Sequence, residues 1–78
     1  MKCFIYRCNL KPDMYIYLAE EDNFENVPKN IFASLGIVEF AMEIEITEQT
    51  RLAREDVTTV MNNLNEHGFH MQLPSKAW

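Results

Sequence analysis

Apolar positions recur along this chain with two periods, and the changes of period mark its elements. Val57, Val60, Met61 and Leu64 fall three and four apart, the spacing of one helix face. Gly68 then supplies the left-handed backbone position that ends a helix cheaply. Phe69, Met71 and Leu73 alternate with His70 and Gln72, which is strand spacing, and Pro74 closes the run. The pattern predicts a helix that has Glu55 and Asp56 in its first turn, where the helix dipole favours negative charge. It runs to Glu66 and leads into a strand with Phe69, Met71 and Leu73 buried and His70 partly exposed. Leu52 is placed to staple against Val57 across the helix start.

Upstream the period is two. Lys2 to Cys8 predicts a first strand, Asn9-Leu10-Lys11-Pro12 a short loop, and Asp13 or Met14 to Ala19 a second strand, together a β-hairpin. If residue 8 lies opposite residue 13, Tyr6 faces Tyr15, Phe4 faces Tyr17 and Ile5 faces Ile16. One sheet face then carries Phe4, Tyr6, Tyr15 and Tyr17, and the other Cys3, Ile5, Met14, Ile16 and Leu18. Both are apolar enough to need cover, so helices are expected on both sides. Glu20 to Asn23 reads as a solvated acidic turn, with Phe24 and Val27 as apolar anchors. Pro28 suits a first helical position, and Lys29 to Leu35 predicts a short helix with Ile31, Phe32 and Leu35 on one side, stopped by Gly36.

Ile37 to Ile46 predicts a third strand. Phe40, Met42, Ile44 and Ile46 form its buried side, and Glu39, Ala41, Glu43 and Glu45 an acidic side that suits a sheet edge. After a polar loop at Thr47 to Thr50 comes the helix–strand unit already described. The order is β-β-α-β-α-β, a single α/β (α+β) domain with two helical crossovers and a four-stranded sheet. It spans residues 1–78, with a loosely ordered tail at 75–78 from which Trp78 packs back onto the body.

Composition narrows the function more by exclusion than by assignment. A chain of 78 residues buries about 60–65% of its unfolded surface, which leaves no room for a large enclosed active site. Apolar content of 47% and charged content of 24% exclude a disordered chain. No apolar run approaches the roughly 18 residues of a membrane span. Arg7 interrupts the N-terminal apolar run too early for a signal peptide, so a cytoplasmic location is expected. Net charge is −5, and the seven basic residues are scattered at 2, 7, 11, 29, 51, 54 and 76. Without a basic stripe, nucleic acid and anionic membranes are disfavoured partners. Cys3 and Cys8 point to opposite strand faces roughly 16 Å apart and cannot bridge; they read as reduced thiols.

The candidate chemistry is sparse. Two glycines, both acting as helix stops, exclude dinucleotide and P-loop sites, and no cofactor is expected. His67, a cation at a helix C-terminus, and His70 straddle a helix end and do not converge, so no metal ligand is assigned. Glu39, Glu43 and Glu45 read as a solvated face, nothing brings either cysteine near a histidine, and no catalytic residue is assigned. Arg7 stands out because it lies in an apolar, aromatic strand. It is either bonded to a carboxylate such as Asp13 or stacked on tyrosine, or it grips an anion at a ligand or partner surface. Tyr6, Tyr15 and Tyr17 read first as packing residues. With Arg7 they form the candidate binding surface.

Several residues recur in a specific order. Cys3-x-Ile5-Tyr6-Arg7 is followed by Tyr15-x-Tyr17, Phe24-x-x-Val27-Pro28, Gly36 with Ala41-Met42, Arg51-Leu52 with Asp56-Val57, and Gly68-Phe69-x-x-Gln72-Leu73-Pro74. This resembles the YcgL domain family of small bacterial proteins over residues 3 to 74. The resemblance implies an α/β/α sandwich, a gammaproteobacterial, cytoplasmic protein, no established activity and no catalytic residues to carry over. Val38 stands where relatives often have proline, His70 where tyrosine is common and Cys8 where serine is common. Many relatives also continue past the Gln-Leu-Pro motif. The expected role is a non-catalytic interaction or regulatory module with an unidentified protein partner. The alternative is a small enzyme or ligand-binding protein using Arg7 and nearby tyrosines, and a third reading is an RNA-associated accessory protein.

Overall fold

In the computed structural model, which describes residues 1–10, 13–52 and 55–72, residues 2–8 and 15–18 form the expected antiparallel hairpin pair. Its strands are β1 (Lys2–Cys8) and β2 (Tyr15–Leu18). The register differs by one residue from the expectation. Phe4 faces Leu18, Ile5 faces Tyr17, Tyr6 faces Ile16 and Arg7 faces Tyr15. The cause lies in the turn. The Cys8 N–H donates the closing bond to the Met14 carbonyl (3.0 Å), and Asp13, at φ 65°, belongs to the loop. Because side chains alternate, a one-residue slip turns a whole strand over. Tyr15 and Tyr17 therefore share a face with Cys3 and Ile5, while Met14, Ile16 and Leu18 join Phe4, Tyr6 and Cys8. Lys11 and Pro12 of the predicted loop lie outside the described residues.

The helix α1 (Lys29–Ser34) begins just after Pro28, which occupies the capping position and not the first helical one, and whose carbonyl accepts the Phe32 N–H at 2.9 Å. Gly36 follows at φ 72°. A Cβ there would lie 2.5 Å from Asn9 Oδ1, the atom that accepts the Ile37 N–H, so the site admits only glycine without rearrangement. The strand β3 (Val38–Glu45) pairs with β1 and carries a β-bulge: Ile5 faces Met42, but Tyr6 faces Phe40, leaving Ala41 as the extra residue. The bulge overturns the expected division of β3 into a buried and an acidic side. Met42 and Ile44 share the Ile5 face with Glu39, whereas Phe40 and Val38 share the Tyr6 face with Glu43 and Glu45.

The helix α2 (Val57–His67) and the strand β4 (Phe69–Gln72) complete the unit. Asp56 caps α2 by accepting the Thr59 N–H at 3.0 Å, so it precedes the first turn where the sequence pattern placed it. Gly68, at φ 83°, ends the helix as predicted. Among the described residues the sheet has four strands in the order β3-β1-β2-β4, antiparallel throughout, so β3 is an edge strand as expected. A helix lies on each face. Val57, Val60 and Leu64 of α2 pack with Cys3, Ile5, Tyr17 and Ile46, joined by Leu52. Val27, Ile31 and Leu35 of the α1 segment pack with Tyr6, Cys8, Met14, Ile16 and Leu18.

β4 reverses a second expectation. His70 and Gln72 are buried, and Phe69 and Met71 are only half-buried. Pairing explains it: Tyr17 faces His70 and Tyr15 faces Gln72, which puts both polar residues on the α2 side. Leu73, Pro74 and the tail with Trp78 lie outside the described residues.

Candidate functional site

The four residues expected to form a binding surface divide between the two faces. Arg7, Tyr15 and Tyr17 project to the α2 side, and Tyr6 to the α1 side. Tyr6 is buried. Its hydroxyl donates to Asp22 Oδ1 at 2.8 Å and accepts the Asp22 N–H at 2.7 Å. Burial, aided by the hydrogen bond to the Asp22 carboxylate, pushes its pKa from 10.0 up to about 12. Asp22, at φ 58°, is thereby fixed to the sheet. Tyr17 is also buried and donates to Gln72 Oε1 at 2.5 Å.

A cleft of about 220 Å³ opens on the α2 face, lined by Ile5, Tyr15, Tyr17, Met42, Ile44, Leu52 and Gln72. Arg7 lies beyond Ile5 on the same face, directly across from Tyr15 on one side and Glu39 on the other. It is exposed, and among the described residues no carboxylate, Asp13 included, comes within ion-pairing distance of it.

Beside the cleft is a buried polar network that sequence reasoning missed. His70 Nδ1 meets the Asn63 amide nitrogen at 2.8 Å, and His70 Nε2 meets Glu55 Oε1. With Asn63 as donor, the ring proton sits on Nε2 and faces the carboxylate. The Tyr17 ring packs edge-on against the imidazole, with centroids 5.4 Å apart. A histidine oriented by a carboxylate is half of a catalytic arrangement, but here both ring nitrogens are occupied and no nucleophile among the described residues touches them, so the network ties the α2 start to β4. The only sequence signal was a histidine and a glutamine alternating with apolar residues, which reads equally well as a solvated strand side.

The remaining reactive types are unsuited to nucleophilic attack. Cys3 and Cys8 are free, buried and on opposite faces. Burial lifts the Cys3 thiol from 9.0 to about 11 and raises Cys8 as well, so thiolate is scarce. Glu43 pairs with Lys2 at 3.4 Å and Glu45 with the N-terminal ammonium at 2.5 Å, and that contact lowers the Glu45 pKa. His67 is exposed in the last turn of α2, 3.8 Å from Glu66. Among the described residues no cluster of three His, Cys, Asp or Glu side chains could hold a metal ion, and no helix is long and apolar enough to cross a membrane.

On the α1 face an aromatic row runs out to the edge strand. Phe40 and Phe24 each pack against Tyr6, at centroid distances of 5.6 and 5.1 Å, and Phe32 packs against Phe24 at 5.2 Å. Phe40 is 51% exposed and Phe32 41%. The alternation placed Phe40 on the buried side of β3. The bulge that sends Phe40 to this face has no signal in the alternation.

A family model for the YcgL domain matches residues 3–75, nearly all of the described fold. The chain belongs to the YcgL domain family. A YcgL domain-containing protein of Thioalkalivibrio sulfidiphilus is 43% identical over 74 residues, covering 95% of this chain and 91% of that protein. One from Xanthomonas oryzae pv. oryzae is 39% identical over 74 residues, covering 95% and 86%. One from Pseudomonas putida is 38% identical over 72 residues, covering 92% and 74%. The YcgL domain is thus shared by proteins from several bacteria, and their names carry no activity.

Proposed function

We propose that this YcgL domain is a non-catalytic, cytoplasmic protein-interaction module that works through the aromatic row on its α1 face. The observation that carries this reading is Phe40. It is a large aromatic side chain, half exposed, on an edge strand and backed by the buried Tyr6. Such a residue forms a rigid, apolar anchor of the kind that dominates binding energy at interfaces. The acidic residues Glu21, Asp22 and Glu25 flank Phe24 in sequence, and the whole chain carries a net charge of −5. The complementary partner is a segment with an apolar side chain flanked by lysine or arginine. The occupied nitrogens of His70 and the buried thiols support a non-catalytic role.

The test is quantitative affinity capture from bacterial cytoplasm with wild type, Phe40→Ser and Arg7→Ala as baits. The expected result is a protein held by wild type and by Arg7→Ala and lost from Phe40→Ser, with the melting temperature of Phe40→Ser shifted only slightly. A partner lost from Arg7→Ala and kept by Phe40→Ser would overturn the assignment of the surface. Turnover of a small molecule by the purified protein would overturn the non-catalytic role.

A further inference from the structure

The cleft on the opposite face has its own chemistry. Its walls are apolar where Ile5, Met42, Ile44 and Leu52 meet, and Tyr15, Tyr17 and Gln72 supply its polar groups. The Tyr15 hydroxyl makes no hydrogen bond to a described residue. Gln72 has its amide oxygen engaged by Tyr17, which leaves the amide nitrogen as the polar atom it brings to the lining. Arg7 stands across from Tyr15 on the same face, exposed and without a carboxylate partner among the described residues. Among the described residues no acidic side chain lines the cleft. An apolar hollow lined by a phenol and an amide, with the Arg7 guanidinium one strand over from that phenol, suits a ligand with an apolar body and an acceptor-rich, negatively charged head.

Volume sets the size of that body. At about 220 Å³ the cleft falls short of the 300 Å³ or more typical of pockets for larger ligands, yet exceeds the roughly 150 Å³ that takes up benzene. One ring or a short acyl chain fits; a nucleotide does not. We propose that this cleft binds a small carboxylate with a single-ring or short acyl body, its apolar part against Ile5, Ile44 and Leu52 and its carboxylate held by Arg7 and the Tyr15 hydroxyl. Glu39, directly across β1 from Arg7, is the competing anion and sets the affinity from the outside. This site lies on the other side of the sheet from the aromatic row and stands independently of it.

Methyl-resolved NMR of the full chain tests the proposal, with phenylacetate and hexanoate as probes and phenylacetamide as the uncharged control. Saturable shifts are expected at the methyls of Ile5, Met42, Ile44 and Leu52, with those of Ile16 and Leu35 on the far face unmoved. Arg7→Gln is expected to weaken phenylacetate about fivefold, as befits one exposed charge pair, and to leave phenylacetamide unchanged. Glu39→Gln is expected to tighten phenylacetate. Met42→Trp, placed at a half-exposed wall position, fills the cleft and is expected to abolish binding of both probes. Shifts that never saturate, equal binding of phenylacetate and phenylacetamide, or indifference to Arg7→Gln would overturn the site. So would shifts at these methyls that follow protein concentration without any probe, which would mark the cleft as a contact between copies of the chain.

Discussion

Replacing Gly68 tests the joint between α2 and β4, on which the placement of His70 and Gln72 depends. Gly68 is held from both sides: its N–H reaches the Leu64 carbonyl at 3.0 Å, and its carbonyl accepts the Ala19 N–H at 3.1 Å. A substituted residue cannot escape φ 83° without losing one of these bonds. The left-handed conformation costs an L-residue about 1–2 kcal/mol, and more for a β-branched one. A Cβ at this position also comes within 2.4 Å of Asn26 Nδ2. Asn26 is exposed and can swing away, so the contact adds about 0.5–1 kcal/mol. Gly68→Ala should therefore cost about 1.5–3 kcal/mol and Gly68→Val more, while Gly68→Asn, the residue best suited to this conformation after glycine, should cost least. Urea denaturation followed by circular dichroism reads these values directly, and each kcal/mol corresponds to about 4–8 °C in melting temperature for a domain this small. Alanine and valine variants within about 0.5 kcal/mol of wild type would refute the reasoning. Asn26→Ala added to Gly68→Ala separates the causes, because recovery of the full loss would place the cost in the clash and not in the backbone.

Stability should fall on the alkaline side. The folded-state pKa values of Cys3, about 11 against 9.0, and Tyr6, about 12 against 10.0, mean that the unfolded chain loses these protons first. Stability is whole below about pH 9 and drains away up to about pH 12; urea midpoints that stay flat across that window would contradict it. Tyr6→Phe should cost about 0.5–1.5 kcal/mol by denaturation, since Asp22 loses its partner but remains open to water, and it should make the upper part of the alkaline decline shallower. Neither cysteine should react with Ellman's reagent in the native protein, and both should react in urea; fast native labelling would mean that the sheet faces open. His70→Phe strands the Glu55 carboxylate and the Asn63 amide and should cost about 1–3 kcal/mol, with Glu55→Gln milder because it keeps an acceptor oxygen; the reverse order of melting temperatures would refute the network.

The element order, the two glycine stops and the helix on each face follow from hydrophobic periodicity alone, because each rests on local spacing. What periodicity misses are events that change its phase. The turn that keeps Asp13 out of β2 moves Tyr15 and Tyr17 across the sheet, and the extra residue at Ala41 sends Phe40 and Met42 to opposite faces. Both are set by backbone geometry within one or two residues and leave the pattern on either side intact. The candidate surface was half legible for the same reason. Arg7, Tyr15 and Tyr17 do come together, but Tyr6 belongs to the other face. His70 was read as partly exposed because its neighbours Phe69 and Met71 are more apolar, whereas burial followed from partners distant in sequence, Glu55 and Asn63.

The strand order has a consequence for synthesis. The two inner strands are the first to leave the ribosome, and the two outer ones come last. Until residues 69–72 emerge, the outer margin of β2 has no neighbour to accept its backbone bonds. A nascent hairpin of this kind is a template for stray strands, so a ribosome stalled before Phe69 would release a fragment prone to aggregate, and the final turn of α2 with β4 acts as the latch that ends that hazard.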